Sequence, residues 1–255
     1  GKVCEQGSLG LLDDLQVSES RKISARAYWG YRSLDNPLGP ATSGTGYSMI
    51  ERQFYGLGVT LSERAQLAGI PTLTLLGVEA DAVDDDRTAR QNLAGVPAGP
   101  LGRQERNLAR NSDAILQSQL FLTDQYTATA GFRVSRVLLE VQDQFLADGN
   151  GSGRRAYTGV SPVLALTRHV SPSLNTFLQF GRGFETPTLN EVLYTPNATS
   201  TPTNNFYSGL GAARSQQVEI GMKWRPDAKT RLDASLFQAR TRDDIVPFYL
   251  STSSS

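Results

Sequence analysis

Apolar and polar residues alternate with period two along most of this chain, and few folds can accept that rhythm. Val218, Ile220, Met222 and Trp224 share one face against Gln217, Glu219, Gly221 and Lys223. Ile23, Ala25, Ala27, Trp29 and Tyr31 oppose Ser24, Arg26, Tyr28, Gly30 and Arg32 in the same way. So do Tyr126, Ala128, Ala130, Phe132 and Val134 against Thr127, Thr129, Gly131, Arg133 and Ser135, and Tyr55, Leu57, Val59 and Leu61 against Gly56, Gly58, Thr60 and Ser62. Successive side chains of a strand leave opposite faces, so each segment predicts a strand with one apolar and one wet side. Leu116, Leu120 and Leu122 opposite Gln117 and Gln119, and Leu164 and Leu166 opposite Ala165 and Thr167, are shorter examples. Between Pro71 and Val83 the phase is expected to change near Thr74. About nine strands are read in all, with a tenth between Ser8 and Val17.

The connectors separate two all-β architectures. Short ones fall at Ala68 to Pro71, Asp124 to Gln125, His169 to Ser173 and Arg225 to Lys229, all rich in turn residues. Long polar ones fall between them, at Leu34 to Ile50, Asp84 to Ser112, Val141 to Arg155 and Glu185 to Leu210. Loops above about 12 residues are uncommon in a compact sandwich and need not gather at one end. A barrel whose strands each cross a bilayer must alternate short turns with long loops. The reading is therefore all-β, an antiparallel transmembrane β-barrel segment with lipid on the apolar face and a wet lumen on the other. Trp29, Tyr31 and Trp224 lie near strand ends, where aromatic girdles belong.

Composition narrows the function classes. The formal net charge is 0, from 25 basic and 25 acidic residues, so nothing calls for nucleic acid. No stretch approaches the run of about 18 apolar residues that a membrane-crossing helix requires, which leaves a barrel open because its strands alternate. There is no initiator Met or signal-like segment, and Gly1 is expected to lie inside a longer chain. Cys4 is the single cysteine, so neither an internal disulfide nor a cysteine metal cage can form. His169, the single histidine, falls in a short connector and is expected to be a turn residue rather than a general base, so no catalytic residue is assigned. Asp81, Asp84, Asp85 and Asp86 lack the glycine and terminal glutamate of a calcium loop and are expected to form a solvated acidic turn. Gly209-Leu-Gly211 opens a strand and cannot present a phosphate to a helix. Asn197-Ala-Thr199 would act as a glycosylation sequon only in a eukaryotic secreted protein.

Five segments together resemble TonB-dependent outer-membrane receptors. "FLQFGRGFETPTLNEVL" is similar to a family segment in which a strand leaves through an aromatic-Gly-x-Gly-Phe step into a proline-containing loop, placing Gly181, Gly183, Phe184, Pro187 and Glu191 at motif positions. "SQQVEIGMKW" resembles a later strand, with Glu219 and Gly221 at its motif positions, and "LDASLFQARTRDDIVPF" the strand after it. "LLGVEADAVDDDRTARQNLAG" and "YTGVSPVLALTRHVSPSLNTFLQF" precede these in the expected order.

The resemblance implies a receptor in the outer membrane of a Gram-negative bacterium, its barrel of about 22 strands enclosing a plug domain. It implies capture of a ferric siderophore or related iron chelate by extracellular loops and energy from the TonB complex acting through the plug, without covalent chemistry or a bound cofactor. Partners are then the plug, the TonB complex, outer-membrane lipid and the iron-chelate ligand. On this reading residues 1–255 are about nine or ten strands of the barrel domain, with the plug and the C-terminal strands outside the chain. A self-contained small outer-membrane barrel acting as a passive pore or hydrolase is the alternative, and a soluble all-β module a third. Inward Gly131, Gly181, Gly183 and Gly221 would keep the wall thin beside a plug, and Arg133, Glu219 and Lys223 could bond to it. Tyr194, Asn197, Asn204, Asn205, Phe206 and Tyr207 form an aromatic and amide set suited to a planar, oxygen-rich chelate. Arg87, Arg90, Arg103, Arg106 and Arg110 would attract an anionic one.

Overall fold

A computed structural model describes residues 2–38, 45–193 and 206–246. Ten antiparallel strands run in simple up-and-down order, each paired to its sequence neighbour: β1 (Val3–Ser18), β2 (Arg21–Pro37), β3 (Tyr47–Leu67), β4 (Ile70–Leu93), β5 (Val96–Thr123), β6 (Tyr126–Asp143), β7 (Gly153–Ser171), β8 (Leu174–Glu185), β9 (Ala213–Trp224) and β10 (Leu232–Arg242). Among the described residues β1 and β10 pair on one side only, so the sheet is an open wall and not a closed ten-stranded barrel. The segment from Ser8 to Val17 is a strand, and it begins earlier, at Val3.

The register carries the alternation across the whole wall. Tyr55 stands opposite Trp29 and Ala82, and the row continues through Arg110 and Leu138. Rows below it on the same face hold Leu57, Val59, Val78, Leu76, Leu116, Phe132, Val160, Leu164, Leu178 and Ile220, all well exposed. That apolar band ends at Tyr126, whose ring carries the Arg168 guanidinium 5.9 Å from its centroid, and at Trp224. From Tyr126 to Leu138 along β6 is about 40 Å of strand, or about 28 Å of height at a 45° tilt, close to the hydrocarbon thickness that such bands match. A continuous exposed apolar face of this height has no place in water.

Two of the expectations about β4 change. No phase shift occurs near Thr74: the register with β3 is unbroken from Ile70 to Arg90, so Leu73 and Leu75 face the wet side and Thr74 the apolar side, where its hydroxyl meets that of Ser118 at 2.8 Å. Asp84 to Ser112 is not a loop either. β4 and β5 continue as a ribbon to a two-residue turn at Ala94 and Gly95, both with positive φ as a type I′ hairpin requires. Asn92 closes it by accepting the Gly95 N–H at 2.8 Å. The signal was present in the sequence: Leu93-Ala-Gly-Val96 repeats the pattern of Leu67-Ala-Gly-Ile70, which makes the β3–β4 turn with the same positive φ at Ala68 and Gly69. From Ala82 to Leu93 the ribbon runs on for about 37 Å beyond the Tyr55 row.

Candidate functional site

The wet face of the wall is built from the other half of the alternation. Arg26 pairs with Glu79 at 3.1 Å, and Arg133 reaches the same carboxylate at 3.7 Å. Arg133 also grips Asp113, its Nε donating at 2.9 Å, while Ser135 and Asn111 donate to the same carboxylate. The Asp113 side chain has no exposed surface, so four donor contacts compensate the charge that burial would otherwise penalise. Toward the rim, Arg52 holds Asp85 through two bonds of 2.6 Å, and Glu105 accepts from Arg103 at 2.7 Å and Asn107 at 2.8 Å, with Arg87 at 3.5 Å. Tyr28 donates to Asp81. The expected acidic turn is therefore a stretch of strand: Asp81 and Asp85 are partnered on the wet face, and Asp84 pairs with Arg106 on the opposite one. No group of metal-binding side chains occurs among the described residues.

Several glycines on this face serve a different purpose from a bare wall. A Cβ at Gly30 would meet the Phe54 ring, at Gly56 the Tyr28 ring, and at Gly221 the Phe177 ring, each directly across the strand pair. The rings lie over the glycines and cover the backbone there. At Gly183 the space belongs to the Ser215 hydroxyl, and Gly131 rests on the backbone of Leu116 and Gln117. Of the four expected thin points, Gly181 keeps its space open, its nearest neighbour being Pro162 O at 3.9 Å. Glu219 accepts from Gln179 at 2.7 Å, and the Lys223 ammonium sits 5.8 Å from the Phe177 ring centroid.

The connection after β8 does not spread into solvent. Pro187, Val192 and Leu193 are buried, and Val192, with no exposed surface, packs with Leu139 of β6 and Tyr157 of β7. Ala109, Val137, Phe184, Leu189, Phe206, Leu210 and Ala212 pack around Val192, Leu139 and Tyr157. Leu139 and Tyr157 share the face of Arg133 and Asp113 by register parity, so the segment folds back over the lumen side. A local signal shapes it: in Thr188-Leu-Asn-Glu191 the Glu191 carboxylate accepts the Thr188 N–H at 2.7 Å, and the Thr188 hydroxyl receives the Glu191 N–H at 3.3 Å. This is a capping box, here starting the short 3-10 turn Glu191–Leu193. Tyr207 N–H donates to Val192 O at 2.6 Å, Phe206 N–H to Gly151 O at 3.0 Å, and the Tyr157 hydroxyl to Leu210 O at 3.0 Å. Gly159 lies beneath the Phe184 ring, which its missing side chain admits.

The expected ligand residues thus divide. Tyr194, Asn197, Asn204 and Asn205 lie outside the described residues. Tyr207 is half-buried at the base of that connection, and Phe206 belongs to its apolar cluster. Arg103 faces the lumen beside Glu105, and its Nη2 makes no hydrogen bond to the described residues. Arg106 and Arg110, on even positions of β5, point out of the wall with Tyr55. His169 lies in β7, not in the connector, its Nδ1 2.8 Å from Asn175 Oδ1 and its Nε2 3.1 Å from the Thr127 hydroxyl at the short-turn end.

An up-and-down wall that is apolar outside, charged inside and aromatic at both borders defines a transmembrane β-barrel with a wet interior. The family model "TonB dependent receptor-like, beta-barrel" matches residues 6–255, and the chain belongs to that family. Solved structures agree in fold. The ferric citrate transporter FecA in its unliganded form superposes with a TM-score of 0.72 at 14% identity, over 96% of this chain and 35% of that one. The copper transporter OprC gives 0.71 at 16% identity, over 94% and 39%, and the ferric-catecholate import receptor Fiu from K12 E. coli gives 0.70 at 12%, over 94% and 41%. The chain thus spans about two fifths or less of the length of these proteins. The family and these neighbours are transporters and receptors, not enzymes.

Proposed function

We propose that this chain is part of the barrel of an outer-membrane receptor that takes up a ferric siderophore or related iron chelate, driven by TonB through a plug domain elsewhere in the protein. The supporting observation is the lumen wall, lined with paired charges over its height and covered at one place by a folded-back rim segment. The family match over residues 6–255 disfavours a self-contained passive pore, and an enzyme would need a reactive group with its base, which the His169 surroundings do not supply. The family's barrels lie in the outer membrane of Gram-negative bacteria, which supports the same location here. Relatives of the same fold are described as a ferric citrate transporter and as a ferric-catecholate import receptor.

In this reading the chelate meets the rim connections first. Tyr194, Asn204, Asn205 and Tyr207 supply aromatic faces and amides, and Arg103 adds a positive charge on the lumen side of the wall beside Glu105. Gly181, Gly183, Phe184, Pro187, Glu191, Glu219 and Gly221 shape the wall and the exit of β8 and do not touch the chelate. Arg106 is outside that surface, because it faces away from the lumen. The iron chelate is cargo, and no resident cofactor takes part.

Uptake of radiolabelled ferric citrate, a ferric catecholate and a ferric hydroxamate by cells carrying the receptor, with and without TonB, tests the proposal. TonB-dependent uptake of one chelate is expected. TonB-independent uptake, or uptake of none while the receptor is present in the outer membrane, would overturn it.

A further inference from the structure

The arginines that composition assigns to chelate capture raise a second question, because several face out of the barrel. Arg110 of β5, Arg136 of β6 and Arg154 of β7 are exposed and, among the described residues, take part in no ion pair or hydrogen bond. Arg110 stands opposite Leu138 and Ser112 opposite Arg136, so the two guanidinium groups leave one face on diagonal positions, with Cα atoms about 7 Å apart.

Their height on the wall is specific. Arg110 lies in the row of Tyr55 and Trp29, at the rim border of the apolar band. Immediately below Arg136 on that face come Val134, Val160 and Val78, then Phe132, Leu116 and Leu76. The neighbouring carboxylates of this face, Asp84, Asp86 and Glu140, all lie on the rim side of Arg110. Asp84 is taken by Arg106, and Glu140 accepts from Gln142 at 2.7 Å. Two cations that no acid holds by an ion pair or hydrogen bond among the described residues therefore sit directly above an apolar surface, with no acid between them and it.

A cation at that depth meets lipid headgroups, and its long stem can lie on the apolar wall while its head stays polar. Two arginine stems that start about 7 Å apart at Cα can bring their guanidinium groups to the same phosphate, which they grip through paired N–H donors. The apolar rows below suit acyl chains. We propose that Arg110 and Arg136, flanked by Arg154, form an outward-facing site for the phosphate headgroup of an outer-leaflet lipid, whose chains lie along Val134, Val160 and Phe132. The occupant is an amphiphile: phosphate alone would leave the apolar half of the site unused. This rests on the outer-membrane location proposed above but not on the identity of the chelate.

Receptor purified in mild detergent from outer membranes, or reloaded with lipid A, phosphatidylglycerol or phosphatidylcholine, would be weighed by native mass spectrometry with no chelate present. One phosphorylated lipid is expected to stay bound, lipid A or phosphatidylglycerol above phosphatidylcholine. Arg110→Gln and Arg136→Gln should each weaken retention about fivefold, the order expected for one basic residue at an anionic surface. The double variant should show about tenfold or more, and Arg26→Gln on the lumen face no loss. Folding is checked by heat-dependent gel mobility, and if the double glutamine variant fails it, Arg110→Lys with Arg136→Lys should keep most of the lipid. Equal retention of phosphatidylcholine, equal loss in Arg26→Gln, or unchanged retention in the folded double variant would overturn the site. Full displacement by millimolar inorganic phosphate would also overturn it, by showing a free-anion site. Chelate uptake is read separately, so either proposal can fail while the other stands.

Discussion

Val192→Ala tests whether the connection after β8 is fixed to the lumen wall. Val192 has no exposed surface and packs against Leu139 and Tyr157. The substitution removes two methyl groups, about 1.6 kcal/mol of transfer energy at about 0.8 kcal/mol each. A cavity that closes incompletely raises the cost to about 2.8 kcal/mol. At about 1.4 kcal/mol per factor of ten, local opening should become about 15 to 100 times more frequent. Hydrogen exchange of the receptor in detergent, followed by mass spectrometry, reads this at the Phe206 and Tyr207 amides, which donate to Gly151 and Val192 carbonyls. The β6 and β7 ladder amides serve as the reference and should not change. Exchange at Phe206 and Tyr207 that rises less than threefold, or rises equally in the ladder, would refute an independently opening segment held by this cluster.

Glu191→Ala removes the acceptor of the Thr188 N–H and should loosen the same segment by about 1 kcal/mol, with Glu191→Gln milder, on the same exchange measurement. Gly30→Ala places a Cβ against the Phe54 ring and 2.9 Å from Gly7 O, so it should lower stability by about 1 to 3 kcal/mol, seen as a lower urea midpoint for loss of folded gel mobility. In the β9–β10 turn, Asp227 accepts the Lys229 and Thr230 N–H groups at 2.8 and 2.9 Å, bonds that hold its carboxyl below the usual range. Because the folded value is the lower one, the turn's added stability is present above the ordinary aspartate range and fades as pH falls through the folded value. Intrinsic-rate-corrected exchange at Lys229 and Thr230 should therefore accelerate in acid, and Asp227→Asn should flatten that dependence.

What could be read in advance follows from range. A strand's two faces are written in consecutive residues, so β2, β3, β6 and β9 were legible from alternation, as was the family from ordered segments such as "FGRGFETPTLNEVL". The capping box in Thr188-Leu-Asn-Glu191 and the second Leu-Ala-Gly turn, at Leu93, are equally local, yet both lie inside stretches whose polarity suggests loops. Asp84 to Ser112 is polar because its ribbon runs wet on both faces beyond the membrane band, and polarity alone does not distinguish ribbon from loop.

Consecutive residues were enough to show alternating strands, the apolar side of every clearly alternating one, though not of β4, and the resemblance to the barrel family. Only the tertiary structure decided which residues of different strands meet. Asp113 and Arg133 lie 20 positions apart, and Val192 and Leu139 farther still. Their meeting depends on register and on a chain reversal, which are set by pairing energies summed over whole strands. The same register sent Arg103 into the lumen and Arg106 to the outside, because a period of two makes an offset of three a change of face.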